Sequence, residues 1–257
     1  MAGYGRVGQG EVYMVGRGMA RLGEVWLGKV GLGNDYLGEI LKIGKRHNSQ
    51  NVYVAVIGDL ISGSIHKSIA IANRENVIDQ IKLAVDYISA FCFELTQNFT
   101  NVYLADCAGN HSRIDRKEDA LHDERLDCLI AWTVSKLLSH VGNFKPMLDG
   151  KLDTGIARLD IRGKEYVAVH GDFDGVSKAA VGRLAMMLGS LPYAVIMGHR
   201  HFPAVTDESG IRVIQGGSLC GAGDDYTVEK RLCGKPSQTV CVCTERGVEC
   251  IYPVVFD

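Results

Sequence analysis

Four short groups of metal-ligating residue types occur along the chain, each directly after an apolar run. Asp59 follows VYVAVI and a glycine; Asn110 and His111 follow VYLADCA and a glycine; His170 follows YVAV and leads into Gly171-Asp172; His199 and His201 follow YAVIM in Gly198-His199-Arg200-His201. Carboxylate, amide and imidazole donors without thiolate suit Mn, Fe or Zn rather than copper(I) or a structural thiolate zinc. Taken singly, each group reads as an ordinary turn, an Asx-turn or a hydrogen-bonded surface histidine. Their joint occurrence is harder to explain that way. In open α/β sheets ligands bind beyond the carboxyl ends of the strands, and a neighbouring glycine lets the backbone turn sharply there.

The elements that must position these groups follow from periodicity. VYVAVI (52–57) and VYLADCA (102–108) are continuous apolar runs, as in strands covered on both faces. Residues 37–47 suit a short amphipathic helix, 70–98 a long one through Ile71, Ile78, Ile81, Val85, Ile88, Cys92 and Leu95, and 119–141 another, with Trp132 in the core. GIARLDI and EYVAV flank Arg162-Gly163-Lys164, a hairpin signal, and residues 176–190 make a further helix before YAVIM. The C-terminal part is strand-rich, with turns at Glu208-Ser209-Gly210 and at Arg246-Gly247. Strand–helix alternation followed by antiparallel strands indicates an α/β protein with mixed sheets. The first 36 residues stand apart, since 11 of the 31 glycines fall before residue 39, a density that disfavours helix and well-packed strand. The chain therefore divides into an atypical segment, 1–36, and a domain, 37–257.

The 257 residues suffice for one large domain with a substantial core. A net charge of −2 offers no broad basic field for nucleic acid or anionic membrane, so any polyanion contact must come from a local patch. No apolar stretch approaches the roughly 20 residues that span a bilayer, and no secretory h-region opens the chain, which points to the cytoplasm. The eight cysteines contain no C-x-x-C pair. Cys92, Cys107 and Cys128 lie in apolar segments as small hydrophobes, and Cys241 and Cys243 alternate onto one strand face. A zinc site of Cys220, Cys233, Cys241 and Cys243 fits no compact zinc module, and reduced buried thiols are the better reading.

The ordered set G-D, G-N-H, lone His, G-H-x-H resembles the calcineurin-like metallophosphoesterase superfamily over about residues 37 to 220. GDLISGSIH (58–66) and GNHSR (109–113) look closest to phage-type or DNA-repair-exonuclease-type members. The resemblance implies a four-layer α/β/β/α sandwich with the site at the rim between its sheets. It implies hydrolysis of a phosphoester, a phosphodiester and possible DNA linkage included, by metal-activated water. Carried over residue by residue, Asp59 would bridge two divalent metals; Asn110, His170 and His199 would complete one shell, and His201 would bind the other. His111 would stabilise or protonate the leaving oxygen. Arg113, with Arg116 and Lys117, could meet substrate phosphates or form a solvated face. Asp172 and Asp174 would orient His170, and His66 could line the cleft or simply start a helix.

The superfamily's first motif, D-x-H at the end of the first strand, is absent. Before Asp59 the acids are Glu11, Glu24, Asp35 and Glu39, and the one histidine is His47, placed to cap a helix. One metal position keeps Asp59, Asn110, His170 and His199, whereas the other keeps Asp59 and His201, and two ligands seldom hold a catalytic metal. A replaced or misread N-terminal segment, a one-metal enzyme, or a non-catalytic metal-binding or interaction module each fit this gap, and the odd composition favours the first.

Overall fold

VYVAVI and VYLADC lie side by side as parallel strands β2 (Asn51–Ile57) and β3 (Asn101–Cys107), with Val52 opposite Val102 and Ile57 opposite Cys107. The computed structural model describes residues 11–16, 25–65, 67–73, 75–149, 151–221 and 234–256. β1 (Glu11–Gly16), β4 (Phe144–Pro146), β10 (Ser237–Thr244) and β11 (Gly247–Val255) complete a six-stranded sheet in the order β11-β10-β1-β2-β3-β4. The second sheet has the order β5-β6-β7-β9-β8, from β5 (Ile156–Ile161), β6 (Lys164–Val169), β7 (Ala194–Met197), β8 (Ala204–Glu208) and β9 (Ile211–Gln215). Both sheets mix parallel and antiparallel pairs.

The period of two along β2 sorts its side chains between two cores. Val52, Val54 and Val56 pack under helices α1 (Val25–Arg46), α3 (Val77–Thr96) and α4 (Leu126–Leu137). Tyr53, Ala55 and Ile57 face Leu159, Ile161, Tyr166 and Ala168 of the smaller sheet. The far side of that sheet, through Val167, Val195 and Val213, covers Val181, Leu184 and Leu188 of α5 (Lys178–Leu188). The result is the expected α/β/β/α stack, in which β2 is buried on both faces, and that is why its sequence is continuously apolar. Among the described residues no helix is long and apolar enough to cross a membrane.

Several local readings change. The glycine-rich start contributes a central strand and a helix that begins at Val25, twelve residues before the expected one. Register with two neighbours, not intrinsic propensity, holds β1 in place: it pairs antiparallel with β10 and parallel with β2. The long helix over 70–98 is two: α2 (Lys67–Ala72) and α3, because the Asn76 side chain accepts from the N–H groups of Ile78 and Asp79 and starts a new helix. Ile71 and Ile78, read as buried, are exposed. Trp132, read as core, is 54% exposed; α4 buries Asp127, Ile130, Ala131 and Val134, and Trp132 stands on the other side with Lys136 over its ring. Cys241 and Cys243 share the core between the sheets, and Cys233 and His66 lie outside the described residues.

Candidate metal centre

Four strands deliver the expected ligands at their carboxyl ends: β2 leads to Asp59, β3 to Asn110, β6 to His170 and β7 to His199. Their convergence depends on backbone close to backbone. A Cβ on Gly109 would lie 2.2 Å from Asp59 Oδ1, and one on Gly58, at φ +81°, would lie 2.4 Å from Gly109 N. Asp59, His199 and His201 themselves have φ of +51°, +62° and +67°. Among the described residues the other non-glycine positions at positive φ are Asn48 after α1 and Arg162 and Ser209 in hairpin turns. Left-handed backbone at three candidate ligands is held against its intrinsic cost by the surrounding fold, as at sites where geometry serves function.

The donor atoms gather around one imidazole nitrogen. His170 Nε2 is 3.1 Å from Asn110 Oδ1, 3.2 Å from His199 Nδ1 and 3.3 Å from Asp59 Oδ2. Ligand atoms about 2.1 Å from a shared cation stand between about 3.0 Å apart (octahedral) and about 3.4 Å apart (tetrahedral). The observed separations fall in that interval. One donor atom each from Asp59, His170 and His199 lies within 4.8 Å of the others, and among the described residues these three form the metal-capable cluster. His201 is not in that cluster.

The tautomer of His170 sharpens the case. Its Nδ1 is 2.7 Å from the carbonyl oxygen of Ile57, an acceptor only, so Nδ1 carries the proton and donates. In the neutral ring Nε2 then presents a lone pair to a carboxylate oxygen, an amide atom and a second imidazole nitrogen. Such a convergence of donor atoms on one lone pair suits a cation. A strand carbonyl thus orients the Nδ1 side of His170. Asp172 instead accepts from Arg113 Nη2 at 2.7 Å.

A residue without a sequence-level reading holds the loops together. Asp127, in the first turn of α4, is wholly buried. Its Oδ2 accepts from the N–H of Asp59 at 2.9 Å and of Gly109 at 2.8 Å, and its Oδ1 from the N–H of Leu60 at 3.0 Å. Burial, and after it the charge of Asp59, push its pKa up, while the backbone donors pull the other way. Gln80 acts similarly one turn further on, accepting from the N–H groups of Ser62 and Gly63, both at 3.1 Å. An acid inside the apolar run LDCLIAW, without a basic residue three or four positions away, was the available signal.

His111 stands beside this cluster. Its backbone N–H donates to Asp59 Oδ1 at 2.8 Å, its Nδ1 is 3.1 Å from the Ser62 carbonyl, and its Nε2 is 3.9 Å from Asp59 Oδ2. With the Nδ1 proton held by a carbonyl, Nε2 is the nitrogen that can exchange a proton with a bound molecule. Arg113 is buried against Asp172, with its guanidinium 5.7 Å from the Phe173 ring centre. β1 ends at Gly16, in register with Val56, and the sequence continues Arg17-Gly18.

The sequence model for the calcineurin-like phosphoesterase superfamily domain matches residues 53–229, which include every one of these candidate ligands. The chain belongs to the calcineurin-like phosphoesterase superfamily. No curated protein sequence matches this phosphoesterase-superfamily chain significantly. Among solved structures it is similar to a novel archaeal phosphodiesterase, at 15% identity over 95% of this chain and 99% of that one, with a TM-score of 0.46. It is also similar to a hypothetical protein of Pyrococcus horikoshii OT3, at 12% identity over 95% and 89% of the two chains and the same TM-score of 0.46. A single mutant of Vps29 from Entamoeba histolytica follows at 13% identity, over 96% and 99%, with a TM-score of 0.42. At such identities and scores none of the three informs activity or partners.

Proposed function

We propose that this calcineurin-like phosphoesterase hydrolyses phosphodiesters with the help of a divalent cation held by Asp59, Asn110, His170 and His199. The observation that carries this reading is His170 Nε2, aimed by the Nδ1 bond to the Ile57 carbonyl and ringed by three donor atoms at 3.1–3.3 Å. When bound, the cation neutralises phosphate charge and makes water acidic enough to attack near neutral pH. The chain's own residues do the rest. Asp59 holds the backbone of His111 through its Oδ1, which fixes the imidazole beside the phosphate. His111 Nε2 would donate to the leaving oxygen, and Arg113, anchored on Asp172, would supply positive charge nearby. Mn, Fe and Zn all suit this donor set, from which His201 stands apart. All of this machinery lies in residues 37–257, with β1 beside β2 serving as scaffold.

DNA is the polymer substrate to test, on the likeness of GDLISGSIH and GNHSR to phage-type and repair-type members; a net charge of −2 favours contact at a single linkage over a long track. The test is hydrolysis of bis(p-nitrophenyl) phosphate with added Mn²⁺, Fe²⁺ or Zn²⁺ by the wild type, Asp59→Asn and His111→Ala. Turnover that falls at least about a hundredfold in both variants supports the enzyme. A second reading, a metal-binding or interaction module without catalysis, is favoured by one observation: β1 ends at Gly16 without a ligand type. Cation binding with no turnover in any metal would establish it.

A further inference from the structure

One peptide group, between Ser62 and Gly63, joins the His111 ring to the buried side chain of Gln80. Its carbonyl, that of Ser62, lies 3.1 Å from His111 Nδ1. Its N–H, that of Gly63, donates to Gln80 Oε1 at 3.1 Å, and the N–H of Ser62 donates to the same oxygen, also at 3.1 Å. The peptide is trans, so its C=O and N–H point in opposite directions, and a hold on one end aims the other. Gly63 has a φ of +66°, and a Cβ there would lie 2.0 Å from the His111 carbonyl oxygen. The turn therefore packs on the backbone of the same residue whose ring it meets.

Gln80 can aim this peptide because its own amide has one orientation. Oε1 accepts two N–H groups and Nε2 donates to the Glu75 carbonyl at 2.9 Å, so a flipped amide would set donor against donor and acceptor against acceptor. Its place is fixed as well, four residues after Asn76, the N-cap of α3. Turned over, the Ser62–Gly63 peptide would show His111 an N–H instead of a carbonyl. The ring would then accept at Nδ1 and carry its proton on Nε2. That rotation changes φ of Gly63, where no Cβ resists it, so the turn alone does not choose between the two arrangements. We propose that Gln80 is a positioning residue for His111: it holds the Ser62 carbonyl toward the ring, keeps the ring proton on Nδ1, and leaves Nε2, 3.9 Å from Asp59 Oδ2, as the nitrogen that exchanges a proton with substrate. The consequence for turnover rests on the hydrolase reading above, in which a proton at Nε2 passes to the departing oxygen.

The experiment uses the full chain with ¹⁵N-labelled histidines and diamagnetic Zn²⁺, the His111 signals being assigned by their loss in His111→Ala. Long-range proton–nitrogen correlation spectra read the tautomer. The wild type is expected to show His111 protonated on Nδ1 and unprotonated on Nε2. Gln80→Met keeps length and bulk without an acceptor. Gln80→Asn draws the amide back by one methylene and leaves room for water, so it serves where methionine prevents folding. Each should give a mixture of tautomers or a ring protonated on Nε2. Gln80→Glu, whose buried acid can accept twice and donate once as glutamine does, should restore the wild-type pattern. Turnover of methyl p-nitrophenyl phosphate and methyl phenyl phosphate is followed in parallel with Mn²⁺. Phenolate, the poorer leaving group, needs the proton more, so Gln80→Met or Gln80→Asn should slow the phenyl ester at least about tenfold more than the nitrophenyl ester. A wild-type ring protonated on Nε2 overturns the proposal, as does a His111 tautomer unchanged in a folded Gln80 variant. Equal slowing of both esters overturns the link from Gln80 to the departing oxygen. The expected tautomers without turnover of either ester by the wild type support the positioning role and overturn the hydrolase reading, so the two fail separately.

Discussion

Asp127→Asn tests how the metal centre is held without touching a candidate ligand. The carboxylate takes three backbone N–H bonds of 2.8–3.0 Å, each of a kind that contributes about 1.5–3 kcal/mol. Asparagine fills the same volume but has one acceptor oxygen. Placed at the Oδ2 position, that oxygen keeps Asp59 and Gly109 and turns an NH₂ group toward the N–H of Leu60. The loss of one charge-assisted bond, with two donors left facing each other in a buried place, costs about 2–4 kcal/mol. Relief of a buried charge next to Asp59 offsets part of this, leaving about 2 kcal/mol, or about 4–8 °C in Tm for a chain of this size. The sharper readout is Mn²⁺ affinity by calorimetry, expected to fall about 10- to 100-fold, as when groups that orient ligands are removed. Val195→Ala, a cavity in the core under α5, is the control: it should lower stability by a similar amount and leave Mn²⁺ affinity intact. If Asp127→Asn loses stability yet binds Mn²⁺ like the wild type, the carboxylate does not position the site.

Other consequences are direct. Gly109→Ala places a methyl group 2.2 Å from Asp59 Oδ1 and should abolish Mn²⁺ binding while costing at least about 3 kcal/mol in urea unfolding. Metal content by elemental analysis should fall below half in His170→Ala and His199→Ala, and stay near the wild-type value in His201→Ala, whose ring lies outside the cluster. Burial pushes the Cys92 and Cys128 thiols up to about 12, so at pH 8 they should resist iodoacetamide while partly exposed Cys220 and Cys250 react; the rates of Cys92 and Cys128 should rise about tenfold per pH unit below that value. Trp132→Ala, on the exposed side of α4, should change stability by less than about 1 kcal/mol in the same unfolding assay.

The candidate ligands were legible because each follows a largely apolar strand, and strand ends are where an α/β sheet gathers its chemistry. Asp59, Asn110, His170 and His199 are found together for that reason. The hairpins were legible too, since Arg162-Gly163 and Ser209-Gly210 take the paired positive φ that a two-residue turn between strands requires. What escaped is decided at a distance. Asp127 sits in its helix like a solvent-facing acid, and only donors 68 and 18 residues earlier in the chain make its burial favourable. Glycine density misread β1, because a central strand draws its order from both neighbours rather than from its own propensity. The break between α2 and α3 was readable in principle, as Asn76 precedes an apolar run and has Asp79 at the third helical position.

The placement of β1 also sets an order of assembly. On one flank it lies along β2, made some forty residues later, and on the other along β10, with Val12 opposite Val242. During synthesis the earliest strand of the sheet waits with an open edge while the smaller sheet and α5 are being built. The larger sheet closes only when residues 237–244 leave the ribosome and zip against it, so that the metal loops on β2 and β3 rest on a platform finished almost last.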